Sequence, residues 1–227
     1  MNLREILSAV MGESGFLVPD SFFGSTSPDD IQMCYLANRA SSYLREQGYQ
    51  KLIKRGTITL TSATSYALPS DYLEIVPNTS MIEGRIDAMD LPTDPSTWAY
   101  LQSVSSTSDY TVHARIINGE FAVFAPTVGE VVAFEYISNS PILDTDGVTY
   151  KQRFTADTDN WLLDDDLLIL EIKWRYKKEK GIADWQTDMQ EAAQYRNSVM
   201  ARDKSGKTIG SVRKTLGGEP YTNLWIS

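Results

Sequence analysis

The sequence has little cysteine and histidine, with one residue of each among 227. Cys34, the single cysteine, lies among apolar helix positions, so the chain can form no internal disulfide bond and no cysteine-based zinc site. His113 is the only imidazole, and strand alternation places it opposite the presumed core, where we expect a surface residue. Nucleophilic catalysis of the Ser-His-Asp or Cys-His type needs an imidazole beside the nucleophile, so this composition argues against it.

Long apolar runs and excess positive charge are also missing. No apolar stretch approaches the roughly 18 residues of a membrane span, so we expect no membrane partner. The net charge of −9 argues against a protein whose main task is to bind the phosphate backbone of DNA, although an acidic wall would let DNA slide past. Arg4 and Glu5 interrupt the apolar stripe of the first residues, so no signal peptide is predicted and the protein is expected to stay in the cytoplasm.

Helical periodicity is present at both ends of the sequence. The predicted helices are residues 2–11, 28–47, 162–180 and 183–204, with a short helix after Asp94. Ser27 is predicted to cap the second helix, and Gly48 follows its end as a left-handed residue would. The tight turn near residue 181 predicts that the last two helices form an antiparallel pair.

The middle of the sequence is rich in strand and turn signals. Residues 57–61 and 66–68 are predicted to form a hairpin, and Pro69-Ser70-Asp71 is predicted to turn the chain in a new direction. A further hairpin is predicted around Asn118-Gly119. With residues 131–137, the segment holds about six strands in an antiparallel sheet or small barrel.

This order of parts suggests a family. The helix that ends at Gly48, the Thr-rich strand and the sequence Tyr-Ala-Leu-Pro-Ser-Asp-Tyr-Leu at residues 66–73 resemble the head-to-tail adaptors of tailed phages, of the head completion or tail tubular A type. The resemblance implies a structural protein without catalysis or cofactor, which forms a homo-oligomeric ring, dodecameric by analogy, beneath the portal protein. The ring would close the filled head, hold tail or nozzle proteins and let double-stranded DNA pass through its lumen. The protein would then be located at the head-tail junction of the virion, after assembly in the host cytoplasm.

The predicted fold class is α+β, with a helical bundle built from both termini, an inserted antiparallel β-domain and an extended C-terminal tail. The segments, in order, are 1–56 (N-terminal helices), 57–140 (β-domain), 141–160 (extended loop), 161–204 (helical hairpin) and 205–227 (flexible tail). The polar segment 141–160 is either a mobile surface loop or a loop that contacts a neighbour.

Charged residues at the two ends of the helix after residue 161 are the main candidate interface. The acidic start consists of Asp164, Asp165 and Asp166, and the basic end consists of Lys173, Arg175, Lys177, Lys178 and Lys180. Both clusters match the helix dipole, which is one explanation for them. The other is a docking face, on which the acidic start of one subunit meets the basic end of the next, or the portal.

Paired carboxylates leave an alternative function open, a virion-associated hydrolase or a carbohydrate-binding module with an acidic cleft. Asp164 to Asp166, or Asp157 with Asp159, could in principle form such a pair, but dipole matching explains the first set without catalysis. Asp144 and Asp146 resemble a fragment of a calcium loop that lacks its terminal glutamate. We therefore expect no catalytic residue and no metal ligand.

The last 23 residues are too rich in glycine for a stable helix and have apolar residues spaced too widely to form a core. This tail is predicted to become ordered only on assembly, against the portal or an adjacent subunit. Its predicted interface residues are Arg213, Lys214, Leu224, Trp225 and Ile226, with Trp225 as the chief anchor.

Overall fold

The structure, a computed structural model, describes residues 1–77, 79–84, 89, 91, 93–104 and 112–210, with side chains to Asp203. The described chain has an α+β fold, as the sequence predicts. Its helices are α1 (Leu3–Glu13), α2 (Pro28–Arg45), α3 (Pro95–Ser103), α4 (Asp165–Glu179) and α5 (Trp185–Gly210). A short 3-10 turn, Gln50–Leu52, joins α2 to the strands.

Ten short strands form three antiparallel sheets in the described part of the chain. They are β1 (Ile53–Thr59), β2 (Ser65–Ala67), β3 (Tyr72–Ile75), β4 (Met81–Ile82), β5 (Ala114–Ile117), β6 (Glu120–Val123), β7 (Val131–Ser138), β8 (Ile142–Leu143), β9 (Tyr150–Lys151) and β10 (Asn160–Trp161). In the first sheet β7 lies between β1 and β3, and β4 also pairs with it; the other two have the orders β2-β6-β5 and β10-β8-β9.

The helix starts follow local capping chemistry. Asn2 accepts a hydrogen bond from the backbone amide of Glu5 at 2.9 Å, and the Glu5 carboxylate accepts one from the amide of Asn2. This reciprocal pair fixes the start of α1. Ser27 is the N-cap residue of α2 and Pro28 opens the helix, as predicted, but the Ser27 side chain makes no cap hydrogen bond. Its neighbour Ser25 instead donates to Asp30 at 2.5 Å.

Two hydrophobic clusters divide the molecule. The first buries the apolar faces of α1, α2 and α4, and its fully buried members include Leu3, Ile6, Leu7, Met33, Leu36, Leu44, Leu168, Ile172 and Tyr176. The second fills the space between the first two sheets, where Phe121 and Phe134 stack with ring centroids 5.6 Å apart. The helices from both ends of the chain thus share one core, as predicted, while the segment between them has its own.

The predicted hairpin of residues 57–61 with 66–68 is wrong. Strand β1 pairs with β7, with Thr57 opposite Ala133, and β2 pairs with β6, with Tyr66 opposite Phe121. The two runs therefore belong to different sheets. The Tyr66 hydroxyl donates to the carbonyl of Ala63 at 2.6 Å and stabilises the bend between the two runs. The described strands form no closed barrel, so only the sheet alternative of the prediction holds.

Two predicted turns are present. Asn118 and Gly119 both have positive φ, 53° and 79°, and connect β5 to β6 with Ile117 opposite Glu120. This is the geometry that favours Asn-Gly in a two-residue hairpin loop. At the second turn, the amide of Tyr72 donates to the carbonyl of Pro69 at 2.9 Å, and the chain leaves as β3.

The segment 141–160 contacts the helices near its end. Asn38 of α2 bonds both backbone groups of Phe154, accepting from its amide at 2.8 Å and donating to its carbonyl at 3.2 Å. Phe154 and Trp161 are buried in the first core. Asp159, fully buried, accepts from the amides of Thr155 and Ala156 at 2.6 and 3.0 Å.

Helix α5 continues to Gly210, six residues past the predicted end at 204. The remaining residues, 211–227, lie outside the described part of the chain, so the predictions for Arg213, Lys214, Leu224, Trp225 and Ile226 fall there. Across the described residues, no helix is both long and apolar enough to cross a membrane.

Candidate interface on the C-terminal helical hairpin

The acidic start of α4 combines a cap with two exposed or half-buried carboxylates. Asp164 is the N-cap residue, and its carboxylate accepts from the amide of Leu167 at 2.9 Å. Asp165 pairs with the amino group of Met1 at 3.0 Å. Asp166 is exposed, and no partner of its carboxylate is found among the described residues. The first two acids therefore serve the fold, and Asp166 is available to a neighbour.

Three lysines of the basic end form ion pairs within the chain. Lys173 contacts Glu13 of α1 at 2.7 Å, Lys177 contacts Asp188 of α5 at 2.6 Å, and Lys180 contacts Asp29 of α2 at 2.5 Å. Burial would lower the pKa of Lys173, but the Glu13 carboxylate raises it above its usual value. The bond to Asp29 likewise raises the pKa of Lys180. These cations hold α4 against all three neighbouring helices.

Arg175 is buried and belongs to a network that the sequence analysis missed. Its guanidinium binds the carboxylate of Glu171, one turn earlier on α4, whose side chain is only 1% exposed. The second oxygen of Glu171 accepts from Arg196 of α5 at 2.7 Å. The rings of Trp174 and Tyr43 flank Arg175, with its guanidinium carbon 4.3 and 5.3 Å from their centroids.

A signal for this network was present in the sequence. Glu171 and Arg175 are four residues apart, the spacing at which helical side chains meet. The apolar residues Leu168, Ile172 and Tyr176 surround the pair in sequence, which indicates a buried face. A carboxylate on such a face needs cationic partners, and Arg196 is the partner that only the fold brings near.

Lys178 differs from the other cations of the cluster. It is exposed, and none of the carboxylates in the described part of the chain forms an ion pair with it. Its amino group lies over two indole rings, 6.0 Å from the centroid of Trp174 and 5.2 Å from that of Trp185. A cation held between two half-buried tryptophans is a surface of the kind that protein partners bind, since Trp is enriched at interaction hot spots.

The ion pairs within the chain reduce the number of charged residues that are available for an interface. Of the eight charged residues predicted on α4, those without an ion pair in the described chain are Asp164, Asp166 and Lys178, and Asp164 is engaged as a cap. The docking role of these residues stays a prediction. Helices α4 and α5 are antiparallel, because Lys177 meets Asp188 near the turn and Glu171 meets Arg196 farther from it.

The other candidate residues have structural partners. His113 is buried, with 9% of its surface exposed, so the prediction of a surface histidine is wrong. It lies just before β5, and its carbonyl accepts from the amide of Phe124. Among the described residues, no group of three or more His, Cys, Asp or Glu side chains is placed to hold a metal ion.

The carboxylates considered as a calcium-loop fragment or as an acidic pair stabilise loops in the structure. Asp144 pairs with Lys151 at 2.8 Å, and Asp146 accepts from the amides of Val148 and Thr149. Asp157 accepts from the hydroxyl of Ser21 at 2.6 Å and thus ties the α1–α2 connection to this segment. Each of these carboxylates therefore stabilises a turn or joins two segments of the chain.

A small cavity of about 200 Å³ lies beside Asp164, where α5 passes the end of α2. Tyr49 lines it, and burial raises the pKa of its hydroxyl to about 12. Asp203 of α5 also lines it and accepts from the amide of Gln50 at 2.7 Å. This bond holds Asp203 of α5 close to the acidic start of α4.

The sequence matches a known protein family. A family model described as "SU10 adaptor protein" matches residues 1–213, which is nearly the whole chain. The matched region includes both helical ends, the strand-rich middle and the candidate interface. No curated protein matches the sequence.

Proposed function

This chain belongs to the SU10 adaptor protein family of phage adaptors, and from that premise we propose that it is the head-to-tail adaptor of a tailed phage. It forms a homo-oligomeric ring beneath the portal protein, dodecameric by analogy. The ring closes the filled head, carries the tail or nozzle proteins and surrounds the passing DNA. The protein is structural in this role, and no catalytic step is assigned to it.

The observation that carries this proposal is the extent of the family match, residues 1–213, together with the fold. An adaptor needs a rigid body that can repeat around an axis. The helical core supplies such a body, because α4 is tied by ion pairs to α1, α2 and α5 at once.

Exposed charges on α4 favour contacts between subunits of a ring. Asp166 lies in the first turn of α4 and Lys178 in the last, about 18 Å apart along the helix axis at 1.5 Å per residue. In a head-to-tail ring, Asp166 of one subunit meets Lys178 of the next. Such a pair would set the register more than it would add affinity, since exposed ion pairs contribute little.

The net charge of −9 suits a lumen through which DNA slides. A basic wall would bind phosphates and slow their passage, because affinity for DNA comes from lysine and arginine contacts. An acidic protein does not attract the phosphates of DNA in this way. Contact with DNA is therefore non-specific and transient.

Purified protein mixed with portal rings tests the proposal. We expect the chain to co-sediment with portal rings as a multimer and to hydrolyse no peptidoglycan. The family role requires binding that depends on the portal. A monomer that ignores portal rings, or turnover of a cell-wall substrate, would overturn the proposal.

A further inference from the structure

The longest strand at a sheet edge in the described structure is β1. Strand β7 pairs with one side of β1, and no strand of the described part of the chain pairs with the other side. An open edge carries unpaired backbone N–H and C=O groups, to which another strand can bind. The open side of β1 is therefore a candidate binding surface.

The pairing with β7 shows which backbone groups of β1 face the open side. The amide of Leu60 donates to the carbonyl of Glu130 at 2.7 Å, so the backbone of Leu60 is bonded towards β7. Residues of an antiparallel pair alternate between bonded and non-bonded positions, so the amides and carbonyls of Arg55, Thr57 and Thr59 point away from β7. All three of these residues are exposed.

The usual protections against edge pairing are missing from β1. Native edge strands are kept apart from other strands by charged side chains, proline or β-bulges. The register of β1 with β7 runs without a shift from Ile53 to Thr59. Residues 56–68 contain neither a charged residue nor proline. The β-branched residues Thr57, Ile58 and Thr59 also favour an extended backbone, so the edge is ready to accept a further strand.

The two cations of β1 are directed away from its open side. Lys54 contacts Asp71 at 2.7 Å, and Arg55 contacts Glu83 at 2.6 Å. Asp71 precedes β3 and Glu83 follows β4, and both of these strands pair with β7 on the side opposite β1. Each cation therefore reaches across β7 to a carboxylate of the same chain. Neither charge opposes a strand that approaches the open side.

A second copy of β1 matches this edge in length and register. An antiparallel pair centred on Thr57 places the two Thr57 residues opposite each other, and Arg55 of each copy opposite Thr59 of the other. This register joins the outward backbone groups in about six hydrogen bonds. Facing threonines are a favourable cross-strand pair, and the two arginines do not face each other. The other described strands at sheet edges have four residues or fewer, so none of them matches β1 in length.

We propose that the free protein forms a two-fold dimer through the open side of β1, with Thr57 at its centre. A two-fold contact uses the same surface on both copies, as this pairing does. Main-chain hydrogen bonds supply the affinity when a strand is added to an open sheet edge. The dimer is a state of the free protein, and the ring contacts proposed for α4 involve other residues.

Full-length variants at Thr57 test the proposal. Thr57→Pro removes the outward N–H and keeps the hydrogen bonds to β7, a change that an edge strand tolerates. Thr57→Lys keeps the N–H and adds a charge that disfavours edge pairing. Sedimentation velocity should show a monomer–dimer equilibrium for the unchanged protein and a dissociation constant at least about tenfold higher for both variants. Thr127→Lys is the matched control, since it adds the same charge at an exposed threonine between β6 and β7.

Hydrogen exchange identifies the surface that the dimer uses. The amides of Arg55, Thr57 and Thr59 should exchange more slowly at protein concentrations at which the dimer forms, because pairing protects them. A protein that stays monomeric up to about 1 mM, a dimer that persists in Thr57→Lys, or a dimer in which these amides exchange freely overturns the inference. Circular dichroism shows whether Thr57→Pro folds, and if it does not, Thr57→Lys alone decides.

Lys178→Glu separates this test from that of the proposed function. We expect this variant to assemble poorly on portal rings and to dimerise as the unchanged protein does, because Lys178 lies on α4. Loss of the dimer in Lys178→Glu would place the contact on α4 and overturn the inference. A dimer of the unchanged protein that ignores portal rings would overturn the proposed function alone.

Discussion

Asp71 shows how one side chain can fix the position of a strand. Its carboxylate accepts from Lys54 of β1 at 2.7 Å, from Ser138 of β7 at 2.7 Å and from the Tyr136 hydroxyl at 2.8 Å. Burial would raise the pKa of Asp71, but these hydrogen bonds lower it below its usual value. The turn that the sequence predicts at Pro69-Ser70-Asp71 is thus also the point where the first sheet is tied together.

We expect Asp71→Asn to lower the free energy of unfolding by about 1–3 kcal/mol, since hydrogen bonds to a charged group are lost. Because the folded pKa is depressed, the stabilisation exists above the ordinary carboxylate pKa and disappears as the pH falls through the folded value. Urea unfolding between pH 7 and pH 3 should therefore show a flatter pH dependence in the variant. Glu74→Gln, an exposed carboxylate on β3, is the control. An unchanged slope in Asp71→Asn would contradict the assignment.

Glu171 is the second residue on which the fold depends. Its carboxylate pairs with the guanidinium groups of both Arg175 and Arg196, and all three residues lie where α4 meets α5. Moving a carboxylate out of water costs free energy, and the ion pairs with the two arginines offset that cost. Removing it leaves two cations facing each other.

We expect Glu171→Gln to destabilise the protein by about 3–5 kcal/mol, because it keeps the shape of the side chain but removes the charge from a buried pair. Thermal and urea unfolding followed by circular dichroism would measure the loss. Glu191→Gln changes an exposed carboxylate of α5 and serves as its matched control. Equal stability of the two variants would show that the network is not required.

At the scale of the elements, α4 explains why a charge cluster is hard to interpret from sequence alone. Five cations near one helix end predict either dipole matching or a docking face, and both explanations treat them as a group. In the structure three of these cations each have their own partner, because Glu13, Asp29 and Asp188 come from three other helices. Glu13 and Asp29 are more than 140 positions before the lysines that they contact, so spacing along the chain gives no sign of these pairs.

Lys177 and Lys178 are adjacent in sequence but differ in environment. We expect Lys177→Glu to lower stability by about 1 kcal/mol, because it breaks the pair with Asp188 and places two like charges together. Lys178→Glu should leave unfolding unchanged and weaken assembly on portal rings. Unfolding curves and co-sedimentation of the two variants, side by side, measure both effects. Normal assembly by Lys178→Glu would remove this residue from the interface.

Strands were predicted more reliably than their partners. The strand at residues 57–61 and the Asn-Gly turn between β5 and β6 rest on local features, and the structure has a strand at Ile53–Thr59 and that turn. The pairing of β1 with β7 joins residues more than 70 positions apart, such as Thr57 and Ala133. The residues of one strand do not show which distant strand it pairs with, and for this reason the predicted hairpin of β1 with β2 is wrong.

At the scale of the whole molecule, β1 and β7 connect the two cores. Leu52, just before β1, is buried in the helical core, whereas Ile58 within β1 belongs to the core between the sheets. Along β7, Phe134 belongs to the second core and Ile137 packs against the first. The strand pair therefore couples the helical body to the β-rich part, so that a load on one part is transmitted to the other.

The assembly that we propose uses surfaces at both ends of the helical body. Lys178 lies near the C-terminal end of α4, and Asp166 lies at its start. Single contacts of this size are weak, but a closed ring repeats each of them, so the ring is more stable than any one pair. This reasoning predicts that assembly is cooperative and depends on the portal as a template.

Electron microscopy of the phage particle tests the central claim most directly. An antibody fragment against an exposed site on this chain, such as the loop that contains Val128, would mark its position. The account predicts labels only at the junction of head and tail, in a ring that surrounds the DNA channel. Labels on the capsid faces or on the distal tail, or particles with an intact junction that lack the chain, would contradict it.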